Sequence, residues 1–254
     1  MKTCISKCLL SSLLISISFF SSAEDPFPHR DEFSDVPVME MSEFKRNFAK
    51  LFIVDVRSNL EFDVLHIIGA THLPMSNSMF VKSVRKLRPT GATIVTYCNG
   101  HACKKSYQAA RRLIRAGIEN VVAFDAGIFE WIQAAPGMAV LLGKATFDLN
   151  EIIQDSDLQK RFLPREQFLA DAMTKNSLLI DVREPIQRQE TKPLIGSRQI
   201  PIDKFKKVLT SEHLKNRDLY IVDAVGKQVR WLQYYLEMIG YDNYHFLQGG
   251  AENL

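Results

Sequence analysis

"LFIVDVRSNLEFDVLHIIGATHLPM" (Leu51 to Met75) is echoed by "LLIDVREPIQRQETKPLIGSRQIPI" (Leu178 to Ile202). Asp55 aligns with Asp181, Gly69 with Gly196 and Pro74 with Pro201. The echo runs on: "ATIVTYC" answers to "LYIVDA", and "RRLIRAGIENVVAFDAG" to "YYLEMIGYDNYHFLQGG". Gly117 thereby matches Gly240, and Gly127 matches Gly250. Self-similarity over such a span marks a duplicated unit. The offset between the copies shrinks between Pro74 and Gly117, so the intervening loops differ in length.

Each copy alternates strand and helix patterns. "LFIVDV" and "ATIVTY" are continuous apolar runs, as in strands buried on both faces of a parallel sheet. "KKSYQAARRLIRAG" sets Tyr107, Ala110, Leu113 and Ile114 on one helical face, with Gly117 as cap. "ENVVAF" returns as a strand. The expected fold class is α/β, two tandem domains, each a mainly parallel sheet flanked by helices on both faces. The expected boundaries are 38–137 for the first domain, 138–163 for a connector and 164–254 for the second.

The first residues, "MKTCISKCLLSSLLISISFFSSA", order a basic start, an apolar run and a small-residue end. That order predicts a secretory signal peptide over residues 1–23, its apolar run too short and too interrupted by serine for a membrane span. The expected location is exported, periplasmic or secreted, with no stable membrane insertion once the signal is cleaved. Loss of Lys2 and Lys7, with no acid, takes the formal charge of +3 close to neutrality. Such a chain offers no electrostatic footprint for nucleic acid.

Of four cysteines, Cys4 and Cys8 leave with the signal, so only Cys98 and Cys103 remain. A disulfide framework uses spread-out cysteines in a small domain; two in one loop point to chemistry. Their loop, "YCNGHACKKS", follows a strand and precedes a helix, where open α/β sheets gather ligands. Loop amides and the helix dipole are expected to cradle a Cys98 thiolate and lower its pKa. Gly100 lets the backbone turn, and His101, Lys104 and Lys105 supply further positive or donor groups. Cys103 is read two ways: a resolving thiol for Cys98, or an inert side chain packed against the helix. His66 reads as a packed turn residue, and Trp131 and Trp231 as core. No metal site and no cofactor is called for.

Strand-"DVR", "HIIGA" with a following "LP", "YC" before a helix, and "AGIFEW" together resemble the rhodanese (sulfurtransferase) superfamily. "DVREP", "IGS", "IP" and "LQGG" repeat the order in the second copy. The resemblance implies a sulfurtransferase that takes sulfane sulfur from a small donor, such as thiosulfate or 3-mercaptopyruvate. It would pass that sulfur to a thiol acceptor through a Cys98 persulfide. It also implies a pocket shaped by Asn99, Gly100, His101, Ala102, Cys103, Lys104 and Lys105, with Asp55 and Arg57 supporting the loop from below; the same pair reads equally as a structural ion pair at a strand end. No protein partner is specified.

The loop departs from the family's C-x-x-G-x-R-S. Gly100 comes one place early, Ser106 two places late, and lysines stand in place of arginine, without its bidentate fork. Lys104 at the sixth place after Cys98, where related C-x5-R phosphatases carry arginine, argues against phosphatase chemistry. The second copy has Asp223 where the family has cysteine, with Gly226, Gln228 and Val229 following, so it cannot carry sulfur. A second reading is an exported thiol-redox or persulfide-binding protein that uses the Cys98–Cys103 pair with little turnover.

Overall fold

The apolar runs become strands of two parallel sheets. A computed structural model describes residues 26–189, 193–211 and 213–254; the expected signal peptide over 1–23 lies outside the described residues. The first half runs α1 (Met41–Asn47), β1 (Leu51–Asp55), α2 (Asn59–Val64), β2 (Leu65–Ile67), β3 (Thr71–His72), α3 (Phe80–Leu87), β4 (Thr93–Tyr97), α4 (Lys105–Arg115), β5 (Val121–Phe124), α5 (Gly127–Ala134) and β6 (Ala139–Leu141). The second runs α6 (Asp155–Gln159), β7 (Phe162–Leu163), α7 (Arg165–Asp171), β8 (Ser177–Asp181), α8 (Pro185–Gln189), β9 (Arg198–Gln199), α9 (Ile202–Thr210), β10 (Asp218–Val222), α10 (Val229–Ile239) and β11 (Tyr244–Leu247).

The first sheet has the order β3-β1-β4-β5 and the second β7-β11-β10-β8-β9, with every pairing parallel. Val38 bridges Ala123 in parallel on the open edge of β5, the place that β7 takes beside β11. Both sheets thus have one strand order. In the first, the chain leaves β1 toward β3 and leaves β4 toward β5. The loops after β1 and β4 therefore part at a topological switch point, where such sheets bind ligands.

Local chemistry explains the elements. β1, β4, β8 and β10 are buried from their second residue on, as expected of strands covered by helices on both faces. On α4, Tyr107, Ala110 and Leu113 are buried, and Gly117 takes a left-handed φ of 73° just beyond its end. Gly240, its counterpart, caps α10 with φ 80°.

Two features lie outside the expected boundaries. Phe33 and Val36, before residue 38, sit in the core of the first half, and Arg30 pairs with the buried Asp125 at 2.8 Å. Past 137, β6 pairs antiparallel with β2. Within 138–163, Ile152 and Ile153 join the largest apolar cluster among the described residues, which takes in side chains of both sheets. Among the described residues no helix is long and apolar enough to cross a membrane.

Candidate active site

Cys98 directly follows β4 at the switch point, 1% exposed. Beneath it lies a buried polar frame built from the "DVR" stretch. Arg57 donates to Asp55 through Nε at 3.0 Å and Nη2 at 2.6 Å, and both side chains are fully buried. Burial disfavours the guanidinium charge, but the Asp55 carboxylate outweighs it and raises the pKa. Tyr97 donates its hydroxyl to Asp55 and accepts from the Ile67 amide at 3.1 Å. Burial and the Asp55 charge push the Tyr97 phenol well up, so it stays a donor.

The frame reaches the cysteine loop through Asn99. Arg57 Nη1 donates to Asn99 Oδ1 at 3.1 Å, and Asn99 Nδ2 donates to Glu61 Oε1 at 2.7 Å. Glu61 is the N3 residue of a capping box on α2: the Ser58 amide donates to its Oε2 at 2.9 Å, and its own amide donates back to Ser58 Oγ at 3.4 Å. Burial pushes the Glu61 carboxyl up, but Arg57, Lys105 and the Ser58 donors outweigh it and hold it below the usual range. Glu61 was not among the expected site residues, although S-x-x-E ahead of the apolar run is a readable signal.

Glycine sets the roof. Gly127 has φ +64°, and a Cβ there would meet Gly100 N at 2.4 Å. The turn can then lie against the start of α5, where Ile128 N donates to Cys98 O at 3.0 Å and Phe129 N to Asn99 O at 3.3 Å. The second half repeats the device. A Cβ on Gly250, φ +64°, would meet Gly226 N at 2.6 Å, while Ala251 N donates to Asp223 O at 2.8 Å and Glu252 N to Ala224 O at 3.2 Å.

The two loops differ in what they hold. In the second, the buried Asp223 carboxylate accepts from the backbone amides of Gly226 at 2.5 Å, Gln228 at 2.6 Å and Val229 at 3.2 Å. That is the amide cradle expected around Cys98. Around Cys98 itself the expectation fails: among the described residues no backbone N–H donates to its sulfur. Sγ instead lies 3.1 Å from the Cys103 carbonyl oxygen and 3.6 Å from the Ser106 hydroxyl. The reason is covalent and geometric. Cys98 and Cys103 form a disulfide, their Cα atoms 6.4 Å apart, and the longer loop folds Cys103 back over Cys98. Cys103 is thus bonded to Cys98, which corrects the reading of an inert thiol packed against the helix.

The basic side chains of the loop are also engaged, each by a carboxylate. Lys104 meets Glu32 at 2.7 Å, and Lys105 lies 3.9 Å from Glu61. His101 meets Glu130 at 2.7 Å and packs 4.3 Å from the Phe27 ring. These side chains, expected as positive or donor groups near the sulfur, thus anchor the loop through carboxylates. His66 is the packed turn residue expected: its Nδ1 lies 2.7 Å from Phe62 O, and its ring stacks on Phe62.

Both loops line one cavity of about 820 Å³. Cys103, half-buried, faces it from the first half and Asp223 from the second, with Phe129 and Trp231 on its apolar wall. Trp231, expected as plain core, stacks on Phe129 with centroids 5.5 Å apart and covers the Arg57 guanidinium at 5.3 Å. The second half thus closes the polar frame of the first, a contact that no local pattern announces.

Residues 40–134 match the family model for the rhodanese-like domain. Among curated proteins, the probable adenylyltransferase/sulfurtransferase MoeZ of Mycobacterium tuberculosis is 31% identical over 108 residues, 42% of this chain and 27% of that protein. Protein YqhL of Bacillus subtilis is 28% identical over 89 residues, 35% of this chain and 67% of that one. The chain thus matches only about a quarter of the length of MoeZ. Among solved structures, thiosulfate sulfurtransferase from Pseudomonas aeruginosa is similar at 20% identity and a TM-score of 0.39, over 89% of this chain and 45% of that one. The BH2092 protein from Bacillus halodurans is similar at 21% identity and a TM-score of 0.39, over 52% of this chain and 96% of that one.

Proposed function

We propose, from the premise that residues 40–134 are a rhodanese-like domain, that the chain is a sulfurtransferase whose nucleophile is Cys98. One observation carries the reading: inside the matched stretch, a cysteine directly follows a central parallel strand at the switch point, ahead of α4. The similarity to MoeZ, a probable adenylyltransferase/sulfurtransferase, supports it.

In the reduced protein the Cys98 thiolate attacks the sulfane sulfur of a donor such as thiosulfate or 3-mercaptopyruvate. The donor's bond to that sulfur breaks, sulfite or pyruvate departs, and Cys98 holds a persulfide. A thiol acceptor then attacks the outer sulfur, and Cys98 leaves as a thiolate. One covalent intermediate shared by two half-reactions gives ping-pong kinetics. Asp55 and Arg57 act as positioning residues through Asn99. Gly100, His101, Ala102, Cys103, Lys104 and Lys105 shape the loop. Over 164–254 we read a second, cysteine-free copy, in which Asp223 fills its own anion cradle. Removal of residues 1–23 on export would place the protein in the periplasm or outside the cell.

The test uses purified chain, reduced and desalted, with thiosulfate as donor and cyanide as acceptor. Thiocyanate should form in the wild type and fall at least 100-fold in Cys98→Ser, on the scale expected for loss of an activated nucleophile. Equal rates in the two proteins would overturn the assignment. The Cys98–Cys103 disulfide favours a second reading, an exported thiol-redox or persulfide-binding protein with little turnover. Sulfur uptake without thiocyanate formation would select it.

A further inference from the structure

Cys98 and Cys103 differ in how they can be reached. Cys98 is 1% exposed, whereas Cys103 is half-buried and faces the cavity between the halves. In the oxidised chain an external thiol therefore meets Cys103 rather than Cys98, and on a Cys98 persulfide it meets the outer sulfur first. Cys103 does reach the inner Cys98 sulfur: the disulfide joins the two, five residues apart on one loop. A tethered nucleophile acts at an effective concentration on the order of millimolar or above, so it competes strongly with external thiols. The second loop, two residues shorter, has no such group and holds a fixed carboxylate instead.

Resting on the sulfurtransferase reading, we infer that Cys103 discharges the Cys98 persulfide within the chain and releases its sulfur as hydrosulfide, and that the disulfide is the product of this step. The Cys103 thiolate attacks Cys98 Sγ, and the bond between Cys98 Sγ and the outer sulfur breaks. Its electron pair leaves with that sulfur as HS⁻. Two protein thiol sulfurs are oxidised to a disulfide, and the sulfane sulfur is reduced to sulfide. The site is then closed, because the Cys103 backbone lies against Cys98 Sγ. A dithiol reductant resets it. Its first thiolate attacks the accessible Cys103 Sγ and expels Cys98 as a thiolate; its second thiol resolves the mixed disulfide, leaving a free Cys103 and a cyclic disulfide. The class of activity is thus hydrosulfide release driven by a dithiol, with Cys103 as the exchange sulfur.

The test mixes reduced, desalted full-length chain with thiosulfate, anaerobically and without reductant, and follows intact mass and free sulfide. Thiosulfate itself departs as sulfite, so any sulfide comes from the discharge step. Wild type should release about one equivalent of sulfide per chain and end two hydrogens lighter than the reduced protein, as disulfide formation requires. Cys103→Ser should keep one extra sulfur atom and release at least tenfold less sulfide. Added dithiothreitol should turn the single burst of the wild type into continuous release. A wild type that keeps the extra sulfur, on Cys98 or relayed to Cys103, overturns the inference and leaves the sulfurtransferase reading intact. So does Cys103→Ser releasing sulfide at the wild-type rate. If neither protein gains sulfur or releases sulfide, the sulfurtransferase reading itself fails.

Discussion

Asp223 and Cys98 occupy matching strand ends, yet one ends in a satisfied carboxylate and the other in a sulfur bonded to its neighbour. Three amides converge on Asp223, so Asp223→Ala would leave three buried donors without a partner. Each unmet buried donor costs on the order of 1–3 kcal/mol. Asp223→Ala should therefore lower stability by at least about 2 kcal/mol in urea unfolding, and Asp223→Asn, which keeps one acceptor oxygen, by less. Gly127 gives a second case at this scale. Alanine there needs a left-handed φ and puts a Cβ 2.4 Å from Gly100 N. The conformational cost is about 1–2 kcal/mol before the clash is counted. Gly127→Ala should thus shift the unfolding midpoint down and, by displacing the loop, slow sulfur uptake by reduced protein.

At the level of elements, α2 couples the strand-end frame to the cysteine loop. Its capping residue Glu61 accepts from Ser58 on one oxygen and from Asn99 on the other. Glu61→Gln should cost about 1–3 kcal/mol at neutral pH, the scale of a charged hydrogen-bonded partner. The sign with pH follows from its lowered pKa. Glu61 is ionised in the folded chain at pH values where the unfolded chain, near 4.5, already binds a proton. Its stabilisation is therefore full above about 4.5 and disappears as pH falls through the lower folded value. The gap between wild type and Glu61→Gln should narrow on acidification; a gap constant from pH 7 to 3 would contradict the assignment.

For the whole molecule, the contacts of Trp231 decide how far the halves act together. Its ring covers Arg57 and stacks on Phe129, Arg230 lies over Phe129 at 4.8 Å, and Lys206 meets Asp63 at 2.6 Å. One apolar cluster takes in side chains of both sheets. The two sheets should therefore unfold in one transition, with tryptophan fluorescence and far-UV circular dichroism coinciding. Trp231→Ala should cost about 3–5 kcal/mol and separate the two probes. Coincident curves in that variant would show that the halves are joined elsewhere.

The strands, α4, the left-handed glycines and the place of Cys98 were all legible in the sequence. They depend on periodicity and turn chemistry within a few residues of each position. The repeat carried the reading further, since it set Asp223 opposite Cys98 with no coordinates at all. What required the tertiary structure was every outcome set by distant partners. Glu32 and Glu61 claim the loop lysines, Glu130 takes His101, residues ahead of 38 enter the core, and β6 returns to pair with β2. Cys103 shows the division most plainly. Its spacing from Cys98 allowed a bond or a packed thiol equally, because a five-residue separation leaves the loop path free. The longer loop, held at Gly100 against Gly127, folds Cys103 back over Cys98, and the two sulfurs are bonded.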